Sequence, residues 1–433
     1  MLLISLATAA TAALATSVGT LKPKGCIADH ANDPDICGKQ AQGLNGAQWV
    51  TVSPDSRSVY VAGYSDNTIV TFRRNRKTGA LKSKGCIGEK GAPAGCATNT
   101  KGLGNAQAIA VSPNGKSAYA VSEGDNAIVT FKRSRKTGRL HPGGCIGAKG
   151  HNPAHCGQTA RGLYIASSVI VSSDGTSVYV AGDGDNAIAV FRRNTSTGAL
   201  TPKGCIADSA DNPAGCGTTT KGIEAPYSVT TTADGKSVYA AGSNSNSVAA
   251  FKRSSPGALT PRGCIAETGN DTDGCGTTTL GLGEPFTVTA TKDGRSVYAA
   301  GALSNAVVRF KRSSSGALTP KDCIGDATSN PDNCPTTTAG LNSPYAVTAS
   351  PDGRSVYVAS FYDNAVVSFR RGRNTGALTP AGCIADPLHN PDSCPKTARG
   401  LYGTYAVAVT PNGKSAYAVG AAANAIVLFR RAL

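Results

Sequence analysis

Residues 343–383 read SPYAVTAS, PDG, RSVYVAS, FYDN, AVVSFRR, GRNTG and ALTPAGC when they are divided at their turns. Four stretches rich in Val, Ala, Tyr and Phe are separated by segments with Pro, Asp, Asn and Gly, which is typical of antiparallel strands joined by tight turns. Apolar residues do not recur at a spacing of three and four, so an amphipathic helix is not indicated. The segment therefore predicts a sheet of four antiparallel strands.

The same unit recurs seven times in the 433 residues, and a Gly-Cys-Ile or Asp-Cys-Ile step marks each copy at intervals of 59 or 60 residues. A second cysteine follows each marker 10 or 11 residues later. The pairs are Cys26 and Cys37, Cys86 and Cys96, Cys145 and Cys156, Cys205 and Cys216, Cys264 and Cys275, Cys323 and Cys334, and Cys383 and Cys394. Repeated four-stranded units suit a radial arrangement, so we predict an all-β, seven-bladed β-propeller.

The two ends of the chain predict how the ring closes. Residues 17–26, SVGTLKPKGC, match the fourth-strand pattern TGALTPKGC of residues 197–205, whereas the chain ends with a third strand, AIVLFRRAL. We expect residues 18–24 to complete the seventh blade, which leaves no blade with an unpaired edge. Residues 16–433 are then a single propeller domain.

The stretches SPDGRSVYVAS, DNAVVSF and TGALTP, at residues 350–360, 363–369 and 375–380, resemble the repeat of lactonase-like and YVTN-type seven-bladed propellers. The resemblance extends over the whole chain after its apolar N-terminal segment, and it implies the propeller fold. That family includes sugar-lactone hydrolases, muconate-lactonizing enzymes and many secreted or surface proteins, so the resemblance implies no single activity. It assigns no catalytic residue by position, and whether the protein is an enzyme stays open.

Residues 1–15 are predicted to be a signal peptide, because the apolar run from Leu2 to Ala15 ends in Ala-Leu-Ala; a buried strand or helix is the alternative. Paired cysteines also suit an exported protein, and we expect one disulfide within each loop. A gap of about ten residues does not fit the paired cysteines of a metal site, so we expect no metal and no cofactor. The expectation is a secreted monomer without a membrane span.

The net charge is +16, and part of it recurs in every repeat. Two basic residues end each predicted third strand: Arg73-Arg74, Lys132-Arg133, Arg192-Arg193, Lys252-Arg253, Lys311-Arg312, Arg370-Arg371 and Arg430-Arg431. Six first hairpins add another base: Arg57, Lys116, Lys236, Arg295, Arg354 and Lys414. Both positions belong to one face, so we expect a basic rim that attracts a polyanion or is simply solvated. No nucleic-acid motif accompanies the charge.

Three residue types recur in all seven repeats and are interpreted as scaffold. A tyrosine recurs in the second strand: Tyr60, Tyr119, Tyr179, Tyr239, Tyr298, Tyr357 and Tyr417. A phenylalanine recurs in the third strand: Phe72, Phe131, Phe191, Phe251, Phe310, Phe369 and Phe429. An asparagine precedes the third strand: Asn67, Asn126, Asn186, Asn246, Asn305, Asn364 and Asn424. We expect the rings to form aromatic layers between blades and each asparagine to close a turn on its own backbone.

Residues that differ between repeats are the candidates for function. Near the start of each innermost strand, one position holds Gln48, Gln107, Ser167, Tyr227, Phe286, Tyr345 and Tyr405. The same face is expected to carry Phe361, Tyr362, Tyr402, Glu224 and Glu284. Aromatic surfaces with a few acceptors suit sugars or other amphipathic ligands, although repeats also diverge wherever packing permits.

The favoured function is a secreted propeller that binds a small molecule, glycan or protein at this channel mouth. The alternatives are a lactonase-type hydrolase and an association with the cell envelope through the basic rim. The five histidines, His30, His141, His151, His155 and His389, are interpreted as exposed loop residues. The segment from Asp183 to Asn186 offers too few ligands for Ca²⁺ and is interpreted as an ordinary turn.

Overall fold

A computed structural model describes residues 18–433, so the predicted signal peptide lies outside the described residues. Every regular element in this range is a β-strand, and the strands form seven sheets. The innermost strands contact one another in a closed circle from the first sheet to the seventh. The seven-bladed propeller predicted from the repeats is thereby confirmed.

Each blade is built from the same succession of strands. The innermost strands are Ala47–Val52, Ala106–Val111, Ala166–Val171, Pro226–Thr231, Pro285–Ala290, Pro344–Ala349 and Thr404–Val409. The second strands are Ser58–Gly63, Ser117–Ser122, Ser177–Gly182, Ser237–Gly242, Ser296–Gly301, Ser355–Ser360 and Ser415–Gly420. The third strands are Thr68–Arg74, Ala127–Arg133, Ala187–Arg193, Ser247–Arg253, Ala306–Arg312, Ala365–Arg371 and Ala425–Arg431. The fourth strands are Leu81–Gly88, Leu140–Ala148, Leu200–Asp208, Leu259–Glu267, Leu318–Asp326, Leu378–Ala385 and, for blade 7, Leu21–Asp29.

The expected number of four strands per blade is wrong, because every sheet has five. The fifth strands are Thr98–Asn99, Gln158–Ala160, Thr218–Thr220, Thr278–Thr279, Thr336–Thr338, Lys396–Thr397 and, for blade 7, Gln40–Ala41. Each pairs in parallel with the fourth strand, as Ile206 does with Thr218. The loop folds back at its disulfide and carries the chain along the fourth strand. A strand of two or three residues is too short to show an alternating pattern.

The N-terminal strand closes the ring as expected, although it spans Leu21–Asp29 and not residues 18–24. Leu21–Asp29 pairs antiparallel with Ala425–Arg431, and Leu21 lies opposite Arg431. The seven disulfides are also present, each joining a fourth strand to the loop that follows it, and no cysteine in residues 18–433 is free. No helix in residues 18–433 is long and apolar enough to cross a membrane.

The repeated tyrosines and phenylalanines are fully buried between blades, as Tyr60 and Phe131 show by packing in one core cluster. Each tyrosine also joins two blades through its hydroxyl, which accepts a hydrogen bond and donates another. Tyr60 accepts from Arg133 of blade 2 at 2.6 Å and donates to the Gly138 carbonyl of that blade at 2.6 Å. The same pair of bonds is made at all seven blade junctions.

These repeated tyrosine bonds, which we call the ladder, correct the expectation that both bases of each doublet form a basic rim. The second base is always arginine, and it is at most 7% exposed because its guanidinium binds the preceding blade. Arg133, for example, forms a 3.1 Å ion pair with Asp55. The first base of each doublet and the bases of the turns and fourth strands remain to charge this face.

The repeated asparagines also differ from expectation. Their backbone is left-handed, with φ between 47° and 57°, and each side chain reaches the next blade. The Asn67 Oδ1 atom, for example, accepts a 2.7 Å hydrogen bond from the Asn105 N–H at the start of blade 2. The corresponding bond forms at all seven junctions, so these residues fix the spacing of the blades as well as their own turns.

Candidate functional site

A β-bulge in each innermost strand places one side chain in the mouth of the central channel. The pairing register with the second strand shifts at the same point in every blade, for example between Pro226 and Ser228. The residues at the bulge are Gln48, Gln107, Ser167, Tyr227, Phe286, Tyr345 and Tyr405. Bulges re-aim a side chain out of the regular alternation, and here they produce a ring of seven unlike residues.

Four aromatic side chains of blades 4–7 form a continuous arc in this ring. The Phe286 ring centroid lies 4.5 Å from that of Tyr227 and 4.5 Å from that of Tyr345. Tyr345 meets Tyr405 edge to face at 5.0 Å and stacks on Phe361 at 4.9 Å. The four aromatics predicted to line one side of the mouth therefore lie together. With Phe361 they make five residues, which we call the aromatic arc.

Hydrogen bonds cross the channel at the same level. The hydroxyl of Tyr227 is bonded to that of Tyr405, and Gln107 Nε2 donates to the Tyr227 hydroxyl at 2.9 Å. Burial and the neighbouring Tyr405 hydroxyl raise the pKa of Tyr227 well above its usual range. Within residues 18–433, the Oε1 atoms of Gln48 and Gln107 are buried without a hydrogen-bond partner. The polar side of the ring thus contains two amide oxygens that are enclosed by the protein.

Two carboxylates belong with the mouth although the sequence analysis left Glu123 out and interpreted Asp183 as part of an ordinary turn. Glu123 and Asp183 begin the turns between second and third strands of blades 2 and 3, at the position that Phe361 occupies in blade 6. Burial and the nearby Glu123 carboxylate raise the pKa of Asp183 to about 6. Burial and Glu123 also raise the pKa of Tyr64, in the same turn of blade 1, to about 12. Aligning the seven turns by repeat position would have found this acidic group.

The other predicted site residues are only partly assembled with the arc. Tyr362 is 62% exposed and contacts Phe361, and the charge of Glu284 influences Tyr345. Tyr402 instead stacks on His389, with ring centroids 3.9 Å apart, in the neighbouring disulfide loop. Glu224 has its electrostatic contact with Asp273, in the disulfide loop of blade 4. The site therefore divides into the arc and a surrounding set of loop residues.

The opposite face carries a basic groove across blades 7, 1 and 2. One section, of about 700 Å³, is lined by bases that include Arg57, Arg73, Arg76, Lys82 and Lys136. The adjoining section, of about 990 Å³, is lined by Lys22, Lys24, Lys77, Lys414 and Arg430 among others. Neither section has an Asp or Glu side chain among the described residues that line it.

Comparison with known proteins agrees with the propeller geometry. The family described as lactonase, 7-bladed beta-propeller, matches residues 108–273, which confirms the resemblance seen in the repeats. A sequence search found no significant match among curated proteins.

Among solved structures, a protein of Bacteroides uniformis proposed to be a 6-phosphogluconolactonase is 20% identical, with a TM-score of 0.59; the similarity covers 84% of this chain and 88% of that one. A similarly described protein of Bacteroides fragilis is 20% identical, with a TM-score of 0.57 and coverage of 77% and 82%. The periplasmic gluconolactonase of Pseudomonas aeruginosa is 16% identical, with a TM-score of 0.54 and coverage of 77% and 84%. At these identities the similarity establishes the fold alone.

Proposed function

We propose that this lactonase-like propeller is an exported binding protein that takes a neutral, hydroxyl-rich ligand, such as an oligosaccharide, at the channel mouth. The observation that carries the proposal is the aromatic arc of blades 4–7, which shares its ring with the polar side chains of Gln48 and Gln107. The amide and hydroxyl groups of this ring offer donors and acceptors to the hydroxyl groups of a ligand. Aromatic faces stack on the apolar faces of sugar rings.

The charge of the mouth supports a neutral ligand over an anionic one. Glu123 and Glu284 act electrostatically on tyrosines of the bulge ring and Glu123 acts on Asp183, whereas the described arginines and lysines of the repeated doublets belong to the opposite face. A phosphorylated sugar lactone carries negative charge and requires cationic or strong donor groups. The substrate named for the two Bacteroides proteins therefore suits this mouth poorly.

Hydrolysis of a neutral lactone is the second candidate, and the Glu123–Asp183 pair favours it. Asp183 has a raised pKa of about 6, within the range useful for general acid–base catalysis. In that reaction a carboxylate accepts a proton from water as the water oxygen attacks the lactone carbonyl. The ring C–O bond then breaks and the leaving oxygen takes up a proton, giving a hydroxy acid. The aromatic arc suits a bound ring better than any step of this reaction, so binding remains the first proposal.

The compartment belongs to the same proposal. Seven disulfides are typical of proteins that mature outside the reducing cytosol, so we propose export of the chain. The basic groove would then meet the anionic polymers of a cell envelope. Its clustering of bases supports an electrostatic association that weakens as salt rises.

A panel of neutral oligosaccharides, gluconolactone and 6-phosphogluconolactone, applied to the purified oxidised protein, tests these functions. We expect saturable binding of a neutral oligosaccharide, and Phe286→Ala and Gln107→Leu should each weaken it. Tyr402→Ala is the matched control, since this aromatic residue lies on the same face outside the arc and should leave affinity unchanged. Turnover of gluconolactone that is lost in Asp183→Asn would favour the hydrolase instead, and failure of all neutral ligands to bind would reject the binding proposal.

A further inference from the structure

The face of the propeller that carries the disulfide loops is called the disulfide face. On this face a set of three positions recurs at the beginning of each blade. The first is the residue three after the marker cysteine of the preceding blade. The second lies in the turn between second and third strands, and the third lies two residues before the second cysteine of the same blade. In blades 1 to 7 the sets are Asp29, Asp66 and Ala94; Glu89, Asp125 and Ala154; Ala148, Asp185 and Ala214; Asp208, Ser245 and Asp273; Glu267, Ser304 and Asp332; Asp326, Asp363 and Asp392; and Asp386, Ala423 and Asp35.

These positions hold the chain segment that leads into the innermost strand. In blade 5, the N–H groups of Gly281 and Leu282 donate to Asp332 and Glu267, and that of Gly283 donates to the Ser304 hydroxyl. One or two carboxylates per set are therefore enough for the structural role, because six blades are built that way. Blade 6 alone has three carboxylates.

In blade 6, three consecutive N–H groups each bind a different carboxylate. Gly340 donates to Asp392 at 2.7 Å, Leu341 to Asp326 at 2.8 Å, and Asn342 to Asp363 at 2.7 Å. These bonds draw the carboxylates together, so that one oxygen atom of each lies within 4.8 Å of the others. Three oxygens about 4 Å apart can all lie about 2.4 Å from one ion, which is a normal Ca²⁺–oxygen distance, so at most a small closing of the cluster is needed to hold Ca²⁺.

A further observation shows that the protein leaves this cluster short of positive partners. Asp363 is only 1% exposed, yet its Oδ1 atom has no hydrogen-bond partner among residues 18–433. The Thr328 hydroxyl lies 2.7 Å from Asp326 Oδ1 and 2.9 Å from Asp392 Oδ1, and Asp326 Oδ1 also accepts from the N–H groups of Thr328 and Ser329. The hydroxyl proton is therefore free to go to Asp392, and Asp363 Oδ1 is the buried oxygen of this cluster that lacks a donor among the described residues.

We propose that Asp326, Asp363 and Asp392 bind a calcium ion at the junction of blades 5 and 6. An all-oxygen set of carboxylates selects a hard cation over zinc or copper, and the partly exposed Asp392 and exposed Thr328 give the ion a path from solvent. The ion supplies the positive charge that the buried Asp363 lacks and ties the end of blade 5 to the disulfide loop of blade 6. Blade 7 differs, because its set has Ala423 at the position that Asp363 occupies in blade 6, and because His389 stacks on Tyr402.

The alternative occupant is a proton, since burial and the two neighbouring carboxylates raise the pKa of Asp363 to about 7. Calorimetric titration of CaCl₂ into the intact, oxidised protein, after EDTA treatment and dialysis, distinguishes a bound Ca²⁺ ion from a shared proton. We expect Ca²⁺ to bind at this junction and the thermal unfolding midpoint to rise with Ca²⁺ concentration, whereas a shared proton leaves the midpoint unresponsive.

The repeats supply the variants for this test. Asp363→Ser copies the serine that blade 5 uses at the same position, so it should fold, and it should weaken Ca²⁺ binding by roughly tenfold or more. Asp66→Asn changes the equivalent residue of blade 1, whose set has only two carboxylates, and should leave Ca²⁺ affinity unchanged. The proposal is overturned if Ca²⁺ does not bind, or if Asp363→Ser binds it as tightly as the unmodified protein.

Discussion

The two faces of this propeller differ in how closely they keep the seven-fold repeat. On the face that carries the basic doublets, called the rim face, one tyrosine, one arginine and one glycine carbonyl form the same bonds at every blade junction. On the disulfide face, the cysteines and asparagines recur, but the bulge ring changes from glutamine to tyrosine and the acidic sets change from one carboxylate to three. Contacts that close the ring are needed seven times, whereas a ligand needs its partners once. The difference therefore separates scaffold from candidate site.

The largest expected effect is the loss of a repeated core ring. Phe310 is fully buried, so Phe310→Ala leaves a cavity and should lower the free energy of unfolding by about 3–5 kcal/mol. Tyr362→Ala removes an exposed aromatic from the disulfide face and should change it by less than about 0.5 kcal/mol. Chemical denaturation of both variants measures the contrast, and equal losses would show that the two faces do not differ in this way.

A smaller effect is expected where only a hydroxyl is removed from the ladder. Tyr298→Phe deprives Arg371 Nε of its acceptor and the Gly376 carbonyl of its donor, both inside the molecule. An unmet buried polar group costs about 1–3 kcal/mol, so unfolding should become easier by that amount. Tyr362→Phe, on the exposed side of the disulfide face, is the control. A neutral Tyr298→Phe would mean that the ladder bonds add nothing beyond packing.

The arc should respond in affinity more than in stability. Phe286→Ala removes two ring contacts at the channel mouth and should weaken oligosaccharide binding by about 1–2 kcal/mol, measured by calorimetry. Its effect on the unfolding free energy should be smaller than that of Phe310→Ala, because the bulge leaves the ring partly exposed. Loss of stability without loss of affinity would identify the arc as packing.

The smallest expected effect is on the pH dependence of stability, through the two-carboxylate set of blade 5. Burial and the nearby Asp332 carboxylate raise the pKa of Glu267 to about 7, above the value of about 4.3 for an unfolded chain. The folded protein therefore holds a proton that the unfolded chain releases, and this contribution to stability is complete below about pH 4 and lost as pH rises to about 7. Thermal midpoints measured from pH 5 to 8 should fall less in Glu267→Gln than in the unmodified protein. Parallel pH profiles would contradict the shifted pKa.

Most of the architecture could be predicted from the repeat in the sequence. Marker cysteines, turn residues and strand-length apolar stretches were enough to predict seven blades, the loop disulfides and closure by residues 18–24. They also placed Tyr227, Phe286, Tyr345 and Tyr405 at one equivalent position, because an internal repeat aligns the chain with itself. These features are local in sequence or periodic along it, so no coordinates were needed to find them.

Only the tertiary structure decided which side chains meet across blades. The arginines of the basic doublets are buried because the preceding blade supplies Tyr hydroxyls, and that partner lies about one repeat away in sequence. Glu123 and Asp183 join the mouth, and Asp326, Asp363 and Asp392 converge, through contacts between different blades or loops. Periodicity reports what each blade is made of, whereas these sites depend on the rotation that brings one blade against the next.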